Sequence, residues 1–497
     1  MKTLRNILYG TLLILSLYSC DKWLEATSSS QVSDQKMFST RNGFHEALTG
    51  VYISMGSSGA YGRNYSFYVN ELSAVECYNS LDATAFRYIQ NHQYNSQYIY
   101  SVFEEMWQSG YFSIANINKI LFELENRPDV VVDNVERNLI KGELLALRAY
   151  IHFDLIRMFG LSSWDGENAD KLTVPYVTGY TLEITEQKSY RETSELLHKD
   201  IEEAVKCLEC DPVRGVVSDD FYETVNTDGY WNNRLKHMNY YAAKALEARL
   251  WLWEGDYTKA DEAAAEVIDN ALDGEYPVLN WVDAEAIVKE TSNDNKDWTF
   301  STEHIFSLEV TDLYSLTNNY VFGSFASQIM VLDQQIIENS LFVRSTDGKN
   351  DGAEDIRGYA MQLKYLNNGY VSYKFYNSTS HNAAYRNRIP MIRLSEMFYI
   401  RAAAALVNSD TDTVADCLTQ VMLHRGYTDI EIDYPTALLS LEILREFIGE
   451  GQLFYWAKMN QRLGLELPDF GGVYMENQID MYPYPISETS YGHIQER

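Results

Sequence analysis

Between residues 142 and 160 the chain reads GELLALRAYIHFDLIRMFG. Leu144, Leu145, Leu147, Ile151, Leu155, Ile156, Met158 and Phe159 cover more of a helix than the single stripe of a surface helix, so the stretch predicts a helix buried on most sides. Ala146 and Ala149, three residues apart, let a neighbouring helix come close. Asp133 followed by Glu136 reads as a capping-box start, and Gly160 as a C-terminal stop. Just upstream, Trp107, Tyr111, Ile114 and Leu121 lie at i, i+4, i+7 and i+14, one face of a second helix. A short Pro/Asp loop would join the two in an antiparallel hairpin, and the rest of the chain repeats that theme.

A helix is expected at 34–55, with Phe38, Phe44, Ala47, Leu48, Val51 and Tyr52 apolar. Residues 56–98 are rich in Gly, Ser, Asn and Tyr without a sustained period, so they predict loops packed on the scaffold. Beyond a connection containing Pro175, Leu196, Leu197, Ile201, Ala204, Val205 and Leu208 mark one face of a helix at 189–208. Residues 245–268, ALEARLWLWEGDYTKADEAAAEVI, match the tetratricopeptide pattern: two alanine-rich helices about a Gly255-Asp256-Tyr257 turn. Regularity then stops from 273 to 390, with strand-like runs only at 305–310 and 371–375. An insertion this long within a compact domain is usually functional. Helices resume at 392–407, 413–425 and 438–463, and Tyr482-Pro483-Tyr484-Pro485 reads as extended.

The formal charge of −31 makes a nucleic-acid partner a poor match. The sharper signal is aromatic: 38 Tyr, 20 Phe and 9 Trp, many outside the helical patterns. Rings with an apolar face and a polar tip suit wet recognition surfaces. Lys2 and Arg5 precede an apolar run at 7–17 that is too short to span a bilayer. Leu17-Tyr18-Ser19-Cys20 resembles a bacterial lipobox, which makes 1–19 a signal peptide and Cys20 the lipidated first residue. Residues 20–33 then read as a flexible tether. Cys207 and Cys210 form a lone CxxC, with no second pair and no nearby His pair; a stray pair or local disulfide fits better than a redox site.

Several motifs converge in order and spacing. They are Cys20 with Val32-Ser33-Asp34; Leu48-Thr49-Gly50-Val51-Tyr52; and Trp107, Tyr111, Ile114 and Asn116. Gly142-Glu143 follows, with Arg148-Ala149-Tyr150, Phe153-Asp154-Leu155, Asp200-Ile201 and Ala204, and then the repeat at 242–260. The last are Asp355 and Arg357, Arg393-Leu394-Ser395-Glu396-Met397, Glu446-Phe447 and Gly449-Glu450-Gly451. With these the chain resembles the SusD/RagB family, surface lipoproteins of Bacteroidota that work with a TonB-dependent outer-membrane transporter. Two departures, at Arg401-Ala402-Ala403-Ala404 and at Gln452 through Trp456, mark a divergent branch.

The resemblance implies a mainly α fold: a scaffold of about four tetratricopeptide-like helical hairpins decorated by long irregular loops with a few short strands. It implies one domain over 34–497, with ligand-binding segments at about 56–98 and 273–390. It further implies a non-enzymatic protein on the outer membrane that binds an oligosaccharide, requires no cofactor and delivers its cargo to a SusC-like transporter. Peptide cargo and a surface glycoside hydrolase remain open alternatives.

In the first segment the candidate ligand-binding residues are Tyr78, Asn79, Phe86, Arg87 and Tyr88; in the second they are Trp298, Tyr314, Tyr320, Phe322 and Phe325. Sugar C–H faces pack on such rings while Asn and Arg donate to hydroxyls, although singly most of these rings are expected to pack the segments onto the helices. No nucleophile, zinc or phosphate-loop motif is present. Glu143, Arg148 and His152 read as a polar network between buried helices, and Glu396 and Glu450 likewise. The acidic stretch 347–355 reads as a solvated turn, with an irregular calcium site as the alternative. Lys349 takes a ligand position of the EF-hand spacing and Gly358 replaces its closing Glu.

Overall fold

A computed structural model of the chain describes residues 35–75, 78–79, 84–215, 217, 220–322, 330–344, 352–358, 360–366, 369–463, 481–491 and 494. The expected signal peptide, Cys20, the tether, Phe325 and most of the acidic stretch (347–351) lie outside them. Helix α1 (Arg41–Met55) starts later than the pattern predicted, because the Thr40 hydroxyl accepts from the Gly43 amide and caps a fresh helix there. The first irregular segment carries short elements that its composition hid: α2 (Val69–Ala74), β1 (Tyr78–Asn79) and α3 (Thr84–Gln90).

The expected hairpin follows as α4 (Tyr100–Asn126) and α5 (Asn134–Phe159). Every residue from 142 to 159 is buried, as a helix apolar all round requires. Asp133 caps α5 by accepting from the Val135 and Glu136 amides. The Glu136 carboxylate turns instead to Arg41 and His45, tying α1 to α5. Helix α6 (Tyr190–Cys207) opens with a complete capping box between Ser189 and Glu192. The repeat unit is α7 (Tyr240–Glu254) and α8 (Tyr257–Val267).

The second segment holds α9 (Ala284–Lys289), β2 (His304–Glu309), α10 (Leu313–Tyr320), β3 (Val331–Asp333), β4 (Leu363–Leu366), β5 (Gly369–Ser372) and β6 (Arg388–Arg393). It is followed by α11 (Leu394–Val407), α12 (Thr411–Leu423), α13 (Pro435–Phe447), α14 (Leu453–Leu463) and α15 (Ile486–Tyr491). The helical pattern read from 392 begins two residues late, because Ile392 and Arg393 complete an antiparallel ladder with β2. The helix read at 438–463 is two helices. Gly449 and Gly451, at φ of 86° and 75°, turn the chain between them, a conformation that favours glycine.

Successive helices pack in the order α1, α4, α5, α6, α7, α8, α11, α12, α13. The scaffold is thus four stacked hairpins, α1/α4, α5/α6, α7/α8 and α11/α12, each burying its apolar face on its neighbours. Polar groups inside this stack are paired. Arg148 reaches Asp200 through Nε at 2.8 Å and Nη2 at 2.7 Å, and donates to Asn118 Oδ1 at 2.8 Å. Arg234 bonds Glu143 and Asp211, and Arg249 forks onto Glu396. Lys374 and Arg393 both bond Glu450. His152 Nε2 accepts from the Val177 amide at 2.9 Å, its other nitrogen facing the Arg148 carbonyl.

Cys207, Cys210 and Cys417 are free thiols, so the CxxC forms no local disulfide. Burial pushes the Cys210 thiol up to about 11, away from redox use. Asp355 is buried on Arg357. Among the described residues no group of side chains is placed to hold a metal, and no helix is long and apolar enough to cross a membrane.

Candidate functional site

The two irregular segments, far apart in the chain, meet in one sheet of order β1-β3-β5-β4. Tyr78 of β1 lies opposite Leu332 of β3 and Asn79 opposite Val331. Just before β3, the Met330 amide donates to the Tyr320 carbonyl at 3.0 Å, which fixes the end of α10 to the sheet. Beside that junction, Arg63 Nη1 donates to the Tyr320 hydroxyl at 2.9 Å. Its guanidinium lies 5.1 Å from the centre of the Tyr320 ring and 5.8 Å from that of Tyr68. Tyr68 and Tyr320 pack at 4.7 Å between centroids. Arg63 is held in this pose from its other side by Asn64 Oδ1 at 2.8 Å and Glu105 Oε2 at 3.3 Å.

Two residues beyond Tyr320, the Phe322 ring makes edge-to-face contacts with Tyr373 at 5.0 Å and Tyr376 at 5.9 Å. Tyr373 and Tyr376 are themselves parallel, at 5.4 Å and 8°. A turn closed by the Tyr376 amide on the Tyr373 carbonyl at 2.7 Å brings the two rings side by side. Tyr320, Phe322, Tyr373 and Tyr376, the aromatic ledge of the second segment, are all half-buried. Burial pushes the Tyr68 phenol up to about 12 and raises those of Tyr373 and Tyr376, the last also because Asp294 lies beside it. These phenols stay protonated near neutral pH and can both donate and accept.

Glu71 of α2 locks the first segment to the α13–α14 turn. Its carboxylate accepts from the Gly449 amide at 2.7 Å, the Gly451 amide at 2.9 Å and the Tyr78 hydroxyl at 3.0 Å. Burial pushes its pKa up to about 7 against the pull of those donors.

The predicted residues fall into three groups. Tyr320 and Phe322 are in the ledge, and Tyr314, exposed, is on the same helix as Tyr320. Arg87 and Tyr88 are on α3, Arg87 exposed and Tyr88 stacked on Tyr98 at 5.5 Å; Asn79 is in β1. Tyr78, Phe86 and Trp298 are instead core rings, at 4%, 4% and 1% exposure. Trp298 donates its Nε1–H to the Asn293 carbonyl and packs within a small satellite core, so it supports Tyr373 and Tyr376 from beneath and has no open face. Arg63, Tyr68, Tyr373 and Tyr376 were missed. The one local signal was the three-residue spacing of Tyr373 and Tyr376, hidden by reading 371–375 as a strand.

Residues 22–225 match the family model SusD-like_3, described as "Starch-binding associating with outer membrane". No curated protein matches the chain. Among solved structures, a SusD superfamily protein from Bacteroides thetaiotaomicron is 20% identical. The match covers 91% of this chain and 98% of that one, at a TM-score of 0.69. A SusD-like carbohydrate binding protein from Bacteroides vulgatus is 18% identical over 85% of this chain and 84% of its own, with TM-score 0.62. A SusD superfamily protein from Bacteroides fragilis is 17% identical, with 85% and 90% covered and TM-score 0.61. At these identities the likeness is one of fold.

Proposed function

We propose that this chain is a member of the SusD/RagB family and, on that premise, a non-enzymatic, cell-surface binding protein for an oligosaccharide. In this reading Cys20 carries the lipid anchor, 20–33 is the tether, and a SusC-like TonB-dependent transporter in the outer membrane receives the cargo. The observation that carries the reading is the ledge of Tyr320, Phe322, Tyr373 and Tyr376, set beside the Arg63 guanidinium where the two segments join. Ring faces take the C–H faces of a sugar, while guanidinium and phenols exchange hydrogen bonds with its hydroxyls. Such a surface binds without a nucleophile or a proton-transfer pair.

The test is calorimetric titration of residues 21–497 with a panel of oligosaccharides and peptides, followed by assay of the mixture for new reducing ends. Saturable binding of an oligosaccharide with no reducing ends formed is the expected result. Reducing ends that accumulate with time would overturn the non-enzymatic reading, and binding confined to peptides would overturn the glycan.

A further inference from the structure

A groove of about 860 Å³ opens between α9, the turn after α12 and residues 354–356. That volume is in the range of small-ligand sites. Trp281, Val288 and Ile356 give it an apolar wall, and Asp283, Glu354 and Thr428 a polar rim. The half-buried Trp281 indole is set in one orientation, parallel to the His424 ring at 4.6 Å and 7°, with the Arg425 guanidinium 5.6 Å from its centre. A ring oriented by its neighbours is a preorganised platform, and a ligand that lands on it has little side chain to order.

The groove is also tied to the ledge. Its Val282 and Ile356 belong to the satellite core around Trp298, and Tyr373 and Tyr376 of the ledge pack against that same core. Two surfaces built on one small core keep a fixed spacing. The lining carries the carboxylates of Asp283, Glu285 and Glu354 against the single ammonium of Lys289. Burial and the adjacent Arg425 hold His424 below its usual range, hence neutral. The groove therefore repels anions, while carboxylates on the rim accept from hydroxyl or ammonium donors.

We propose that this groove is a second carbohydrate subsite, taking neutral or amino-sugar units and rejecting uronate or sulfated ones. The proposal rests on the glycan reading above. The experiment titrates residues 21–497 with oligomers of glucose, mannose, galactose, xylose and glucosamine, and with oligogalacturonate as the anionic comparison. The tightest binder is then measured against Trp281→Ala, Glu354→Lys and Tyr320→Ala. Glu354 is exposed, so its replacement cancels the net negative charge of the lining without disturbing the core, and an unchanged melting temperature checks this.

The expected result is a neutral or glucosamine oligomer as tightest binder. Its affinity should fall at least fivefold in Trp281→Ala and about threefold in Glu354→Lys. Wild-type affinity in both groove variants, with binding lost in Tyr320→Ala, overturns the groove and leaves the glycan reading standing. Oligogalacturonate as the tightest binder overturns the charge assignment. If no oligosaccharide binds the wild type, the glycan reading fails and the groove with it.

Discussion

At the residue scale, burial decides which side chains are available for binding and which only hold the frame. Trp298 and Tyr320 looked alike in the sequence, two rings in one irregular segment, yet one is 1% exposed and the other is half-buried beside Arg63. Nothing local separates them, because the difference comes from the satellite core that closes over Trp298. The polar residues of α5 were legible for the opposite reason: a charge amid continuous apolar sequence must find a partner. Arg148→Ala leaves Asp200 buried without its forked partner, and chemical denaturation should show a loss of about 3–5 kcal/mol. An effect below about 1 kcal/mol would mean that the pair is not structural.

Proton linkage belongs to this scale as well. Burial holds His152 and His304 down to about 3, so the unfolded chain binds protons that the folded chain refuses, and stability falls as pH drops from 6.5 towards 3. Glu143, pulled down to about 2 by Arg234 and His237 despite its burial, adds a loss between 4.5 and 2. Glu71, pushed up to about 7, acts in the other direction, since the folded chain protonates first and gains stability as pH falls from 7 to 4.5. Glu71→Gln should therefore steepen the decline of unfolding free energy between pH 7 and 4.5. A flatter profile in that variant would contradict these assignments.

At the scale of elements, the long helices were legible because each carries its own period, caps and stops. The α7/α8 repeat and the buried α5 needed nothing from elsewhere in the chain. The break between α13 and α14 was hidden because its cause is remote: Glu71, more than three hundred residues upstream, accepts the Gly449 and Gly451 amides. The pairing of β1 with β3 was hidden for the same reason, since two- and three-residue strands carry no pattern of their own. Gly451→Ala tests the turn. At φ of 75° a Cβ would also stand 2.2 Å from the Ser66 carbonyl oxygen, so the variant should lose at least about 1–2 kcal/mol in denaturant unfolding. Wild-type stability would show that the turn relaxes freely.

At the scale of the whole molecule, the stack of hairpins is a rigid back on which two dissimilar segments are brought into register. The helical fold class and the bounds of the two irregular segments, 56–98 and 273–390, were readable from where periodicity ran and where it stopped. Which rings share a surface was not, because that depends on contacts across the sheet. If the joined segments form the cargo surface, Tyr320→Ala and Arg63→Ala must weaken binding of the oligosaccharide found by titration. The account predicts at least a tenfold loss in each, about 1.4 kcal/mol or more, with the melting temperature within a few degrees of wild type. Unchanged affinity in both variants, with the fold intact, would place the cargo elsewhere and contradict the account.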